Sequence, residues 1–229
     1  MGIFNSQQNI NEVYFESRLN QNIKRVGSLV DNKPDGQWLW YYENGQIWRK
    51  EDYKKGVLHG KQITYHQNGS LNGERNFMNG KIEGKCYLYY PNGKLKNEVT
   101  CKDDKRNGQH IEYYEDGKIK FKMNFLNEEI EGEFLLYHPN GNLREECNFK
   151  RNKKNGKIRQ YYKSNGKLMV DFSVTDGEVD DQEIIIYNND GSILSSSKYQ
   201  NKKMISYGIG NFSEDYLDTI LFGDELINK

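Results

Sequence analysis

From Gly36 onward apolar and polar residues alternate in short runs, and each run stops at a glycine. Alternation of period two over about six residues predicts a β-strand. The runs also repeat. The segment GQWLWYYENG at Gly36 returns as GKQITYHQNG at Gly60, GKCYLYYPNG at Gly84, GQHIEYYEDG at Gly108 and GEFLLYHPNG at Gly132. Opening glycines stand at 36, 60, 84, 108, 132 and 156, and turn glycines at 45, 69, 93, 117, 141, 166 and 191. A glycine recurring this often breaks any helix. Between two strands, Asn-Gly or Asp-Gly selects a two-residue type I′ turn with positive φ at both positions. Such turns are expected at Asn44-Gly45, Asn68-Gly69, Asn92-Gly93, Asp116-Gly117 and Asn140-Gly141.

Alignment on the glycines exposes three apolar columns. The first is Tyr41, Tyr65, Tyr89, Tyr113, Tyr137, Tyr161 and Tyr187. The second is Ile47, Leu71, Leu95, Ile119, Leu143, Leu168 and Ile193, and the third is Tyr53, Phe77, Cys101, Phe125, Phe149, Val174 and Tyr199. The fold class expected is all-β, an elongated, twisted antiparallel meander of tandem hairpins, each strand beside its sequence neighbour. Residues 36–200 supply seven hairpin repeats of 24 to 25 residues. Residues 1–35 form an N-terminal segment with a degenerate repeat that places Ile23 and Leu29 in the apolar columns. Residues 201–229 form an acidic cap. In it Ser213 would N-cap a short helix running to Gly223, with Phe212, Tyr216 and Ile220 on one side. A cap of this kind protects the open edge of a repeat array.

Alternation also assigns faces. The Tyr41, Ile47 and Tyr53 columns are read as the core face. The intervening positions are read as the outer face, which carries a second aromatic column: Tyr42, His66, Tyr90, Tyr114, His138 and Tyr162. Around it stand Trp38, Trp40 and Trp48, then Lys50, Glu74, Glu98, Lys122, Glu146 and Asp171. Cross-strand stacking is the ordinary use of such rings. Tyr and Trp also dominate interface hot spots, so Trp38, Trp40, Tyr42, Trp48, His66, Tyr90, Tyr114, His138 and Tyr162 are the partner-binding candidates.

Composition changes this picture in two ways. The chain of 229 residues is only 35% hydrophobic but 13% aromatic, which suits a thin fold of half-buried rings rather than disorder. Its net charge of zero hides an asymmetry. Residues 1–175 hold 29 Lys and Arg against 22 Asp and Glu, whereas 176–229 hold 4 against 11. The basic excess is too small to predict nucleic-acid binding. The run Arg151, Lys153, Lys154, Lys157, Arg159 and Lys163 could meet phosphate, though such runs more often form a solvated face. Three cysteines without a CxxC pair fit a reducing compartment. With no apolar stretch long enough for a transmembrane helix and no secretory leader pattern, a cytoplasmic location is expected. MGIFNS matches the short acylation template at Gly2 and Ser6.

Catalytic and metal chemistry find no footing. His59, His66, His110 and His138 are dispersed through the repeats, and HExxH, CxxC and GxSxG are missing. No catalytic residue, metal or cofactor is expected, and the chain is read as a non-enzyme.

The pattern GxWxxYYxNGxIxxExxYxNGxxxG resembles the MORN repeat, and in particular the variant found in bacterial antitoxins of the YwqK type. The likeness covers residues 36–199. It implies a hairpin array that binds a protein partner, a toxin that the chain neutralises as an immunity protein. The alternative it implies is a scaffold at a membrane surface or in an assembly, with lipid as partner.

Overall fold

The computed structural model describes residues 10–18, 21–201 and 203–207. The helix expected over 211–223 and the acylation template at Gly2 lie outside them. The described residues are all β and antiparallel, with no helix among them. The chain divides into two compact units, residues 1–129 and 130–229.

The first unit holds β1 (Ile10–Arg18), β2 (Gln21–Val30), β3 (Lys33–Tyr41), β4 (Ile47–Lys54), β5 (Val57–Tyr65), β6 (Leu71–Met78), β7 (Lys81–Ile82), β8 (Gly84–Tyr89), β9 (Leu95–Lys102), β10 (Lys105–Tyr113) and β11 (Ile119–Leu126). Each long strand pairs with the long strands before and after it, and β6 pairs with β8 as well as with the short β7. The two-residue β12 (Glu129–Ile130) lies where the chain passes into the second unit. That unit holds β13 (Gly132–Tyr137), β14 (Leu143–Lys150), β15 (Lys153–Lys154), β16 (Gly156–Tyr161), β17 (Leu168–Thr175), β18 (Glu178–Val179), β19 (Gln182–Tyr187), β20 (Ile193–Gln200) and β21 (Lys203–Tyr207). It is again a meander of sequence neighbours.

The turns exchange the roles expected of them. At Tyr42–Gly45 only the glycine has positive φ, 84°, while Glu43 and Asn44 do not. The Gly45 N–H donates to the Tyr42 carbonyl at 2.9 Å, and the Asn44 carboxamide accepts from the Gln46 N–H at 3.1 Å. This is a type I turn closed by a left-handed glycine, not type I′. The same holds at Asn68, Asn92, Asp116 and Asn140, none of which has positive φ. Paired positive φ occurs instead at the opposite ends of the strands: Asp31-Asn32, Lys55-Gly56, Asn79-Gly80, Asp103-Asp104, Asn127-Glu128, Arg151-Asn152 and Asp176-Gly177. Asn44 is more useful as a side-chain acceptor than as a left-handed residue, so the Asn-Gly pair takes the longer turn.

The faces follow from the register, not from the turn type. The third turn residue is offset by a bulge at Trp48, between the Tyr41–Ile47 and Trp40–Arg49 pairs, so the pairing beyond it is the one a two-residue turn at Asn44-Gly45 would also give. Trp40 therefore faces Arg49, Trp38 faces Glu51, and Gly36 faces Tyr53. Even positions of the first strand share a side with odd positions of the second. The expectation that Tyr41, Ile47 and Tyr53 form one core face is corrected accordingly. Trp38 and Trp40 are buried on the inner side with Glu51. The Tyr41 column is half-buried throughout and stands on the other side, where Tyr161 donates its hydroxyl proton to Glu146 at 2.7 Å and the Lys50 ammonium sits over the Tyr65 ring. Only the Tyr53 column keeps its inward assignment, and Cys101, Phe125, Phe149, Val174 and Tyr199 within it are buried.

The inner side differs between the units. In the second it is packed with Phe134, Leu136, Cys147, Phe149, Ile158, Val170, Phe172, Val174, Ile184 and Ile186, all between 0 and 4% exposed. At the start of the first unit it is aromatic and crowded. Gly27 there is buried because the Trp38 indole lies across it, and a β-carbon at Gly27 would overlap that ring. Gly27→Ala is therefore expected to displace Trp38 and cost about 1–3 kcal/mol. Thermal unfolding should show a lowered midpoint, with a red-shifted tryptophan emission in the folded baseline.

Candidate interaction surfaces

Each aromatic of the Tyr42 column sits just past a strand end, at the first residue of the glycine turn. In Tyr42, His66, Tyr90, His138 and Tyr162 the polar tip reaches a repeat further on. The Tyr42 hydroxyl donates to the Tyr65 carbonyl at 2.7 Å, Tyr90 to Tyr113 at 2.8 Å, and Tyr162 to Tyr187 at 2.6 Å. His66 and His138 place Nε2 3.1 Å from the carbonyls of Tyr89 and Tyr161. Tyr and His are interchangeable here because both carry a flat ring with a donor at its end. The column is thus a ladder of inter-repeat hydrogen bonds, and its rings are half-buried. Desolvation raises the phenol pKa of Tyr42 and Tyr90. Tyr90→Phe keeps the ring and deletes one rung, so a loss of about 0.5–1.5 kcal/mol is expected in chemical denaturation. A larger loss would mean the hydroxyl holds more than the Tyr113 carbonyl.

The three tryptophans divide. Trp38 and Trp40 are closed off at 2% and 8% exposure. Trp48 is half-buried, edge-on to Trp40 at 6.4 Å between ring centres, with Tyr42 6.2 Å away. The Arg49 guanidinium lies 4.4 Å from the Trp40 ring and 4.7 Å from the Trp48 ring. Beneath this stack is Glu51, whose carboxylate accepts from Trp40 Nε1 at 2.9 Å, from the Tyr53 hydroxyl at 2.9 Å and from the Gln62 amide, and pairs with Arg49 at 3.3 Å. Burial, and then the negative charge of Glu51, push the Tyr53 phenol up to about 12. Of the nine expected contact residues, Trp38 and Trp40 therefore serve the interior of the first unit. The other seven keep partly accessible rings.

Sequence reasoning missed a second feature. In the column of Gln62 and His110 the inner side of the first unit carries polar groups where the second unit carries Phe134, Ile158 and Ile184, although Glu145, Ser195 and Ser197 are also buried on the inner side of the second. Gln62 faces Arg75. Gly73 faces Leu88 and Glu74 faces Tyr87, which sets Arg75 beside Cys86 at the next position. Cys86 faces Val99, which faces His110. A cavity of about 250 Å³ opens over these residues, with Leu88, Asn97 and Cys101 also in its wall. Burial lowers the His110 pKa, and its Nδ1 is closed to solvent without a hydrogen-bond partner. Desolvation raises the Cys86 thiol to about 12. The signal was present in the column two residues after the opening glycine, which reads Trp38, Gln62, Cys86, His110, Phe134, Ile158 and Ile184. Its middle members do not suit a core.

Half of the basic run of the second unit is paired within its own sheet. Lys154 pairs with Glu145, Arg159 with Glu146 at 2.8 Å, and Lys157 with Asp171 at 3.5 Å. Among the described residues no cluster of three His, Cys, Asp or Glu side chains is placed to hold a metal.

Five segments match the family described as MORN repeat variant: residues 34–55, 58–79, 82–103, 106–127 and 130–151. The register of those repeats continues in β16–β17 and β19–β20. No curated protein matches the chain. Among solved structures, a porin-like protein from Bacteroides uniformis ATCC 8492 is 9% identical over 86% of this chain and 95% of its own, with a TM-score of 0.21. At that score the likeness carries no argument.

Proposed function

Starting from a tandem array of MORN-variant repeats, we propose that this protein is a non-enzymatic binder that neutralises a cognate bacterial toxin by covering it. The repeat type is non-catalytic and supplies a repeat-based binding scaffold. One observation carries the reading: the repeats keep their turns and ladder constant while the inner column that holds Phe134, Ile158 and Ile184 in the second unit holds Gln62, Cys86 and His110 in the first, with Arg75 beside them. Polar groups set over a cavity cost stability unless something satisfies them. A fold that can fill these columns with Phe134, Ile158 and Phe172 does not need them for folding. The toxin, rather than a lipid or nucleic acid, is favoured by the ion pairing of the basic run, which leaves Lys154, Lys157 and Arg159 engaged with carboxylates. The three thiols are free, and the cytoplasm is the proposed compartment.

The test is co-expression with the product of the adjacent gene. Rescue of growth together with co-purification of the pair is the expected result. Absence of both growth protection and a co-purifying complex would overturn the proposal.

A further inference from the structure

The cavity over β6, β8, β9 and β10 has a charge that nothing nearby cancels. Arg75 makes no hydrogen bond or ion pair among the described residues, although its neighbours are occupied. Arg106 is paired with Glu128 at 2.8 Å, and its guanidinium lies over the Phe125 ring. The acids of the surrounding strands are engaged as well. Glu51 holds Arg49, Gln62, Trp40 and Tyr53; Glu112 pairs with Lys120 at 2.8 Å; Glu74 pairs with Lys61 at 3.7 Å. The remaining wall is uncharged: the thiols of Cys86 and Cys101, the Asn97 carboxamide, and the apolar Leu88 and Val99. Asn97 likewise makes no side-chain hydrogen bond. Leu88 is 38% exposed, so the apolar wall is open to an incoming group.

We propose that this cavity binds a carboxylate, clamped by the Arg75 fork and steadied by the Asn97 amide, with its short aliphatic stem against Leu88 and Val99. One unpaired guanidinium matches one carboxylate bidentately, and a planar fork suits that geometry. A phosphate dianion would call for more cationic donors than the wall offers. Gly73 keeps the floor open: a β-carbon there would stand 2.8 Å from Leu88 Cδ2 and 2.9 Å from the Tyr87 carbonyl oxygen. The carboxylate can come from two sources, an acidic side chain of a protein partner or a free short dicarboxylic acid. The first source rests on the function proposed above; the site itself does not.

The test uses the full chain, labelled with nitrogen-15, at fixed ionic strength. It is titrated with glutarate and, separately, with N-acetylglutamate methylamide, which carries one acidic side chain between two peptide bonds. Saturable shifts at the amides of Arg75, Cys86, Asn97 and His110 are expected. Arg75→Gln should weaken binding roughly tenfold or more while leaving the rest of the spectrum in place, and Arg75→Lys should fall between. Tighter binding of the peptide analogue assigns the site to a partner's side chain, and tighter binding of glutarate to a free acid. Linear, unsaturable shifts, or equal affinity in Arg75→Gln, would overturn the site. Failure to find a toxin partner would sink the proposed function without touching this result.

Discussion

Phe172→Ala is expected to lower stability by about 3–5 kcal/mol, measured by denaturant unfolding followed in the far ultraviolet. Phe172 is 2% exposed and stands opposite Ile158 in the β16–β17 pair, with Val170 and Val174 on the same side at 0 and 1%. Truncation removes the ring and leaves a void that aliphatic neighbours fill only in part. Ile193→Ala is the control. Ile193 belongs to a column that alternation assigns to the core, yet it is 49% exposed. Its loss should stay within about 0.5 kcal/mol. Equal losses from the two substitutions would mean that the inner side of the second unit is not where the buried columns place it.

Glu51→Ala should be comparably damaging, by about 3–5 kcal/mol, for a different reason. The Glu51 side chain is 3% exposed, and Arg49, Trp40, Tyr53 and Gln62 all converge on it. Removing the acceptor strands a guanidinium between two indoles and leaves three neutral donors without their partner. Glu51→Gln keeps one of the two acceptor oxygens while losing the charge and turning the other oxygen into a donor, so it should cost less than Glu51→Ala but remain destabilising. Tryptophan emission reports the change directly, because Trp40 donates to Glu51 and all three tryptophans lie in this unit. If Glu51→Ala unfolded at the wild-type denaturant concentration, the carboxylate would not be the hub of the Trp40–Arg49–Gln62 cluster.

Much of the fold was legible because the repeat writes each strand and turn several times. The glycine spacing, the alternation and the apolar columns located the hairpins between Gly36 and Gln200 and their antiparallel order. The faces were misread, and the reason is local. Both Asn44-Gly45 and Asn79-Gly80 read as tight turns, but only the second puts positive φ on both residues. The added residue at the first is offset by a bulge at Trp48, so even positions of one strand face odd positions of the next, as a two-residue turn would also have them; reading Tyr41 and Tyr53, both odd, as one face overlooked that pairing. Trp40 thus goes inward, while Tyr41 goes to the side of Lys50 and Glu146. The Tyr42 column was recognisable as a lateral feature, but its carbonyl partners lie some 23 residues away and have no sequence signature. Arg75 and Asn97 were overlooked for the same reason as the faces: until the register is known, a polar residue on a strand reads as solvent-facing.

Hydroxyl-radical footprinting of the native protein tests the face assignment most directly. The buried columns predict strong protection of Trp38, Trp40, Phe134 and Phe172, with rapid oxidation of Met78 and Leu126, which are 54% and 55% exposed. Trp38 and Trp40 oxidised as readily as Met78, with the Tyr41 column protected in their place, would contradict it.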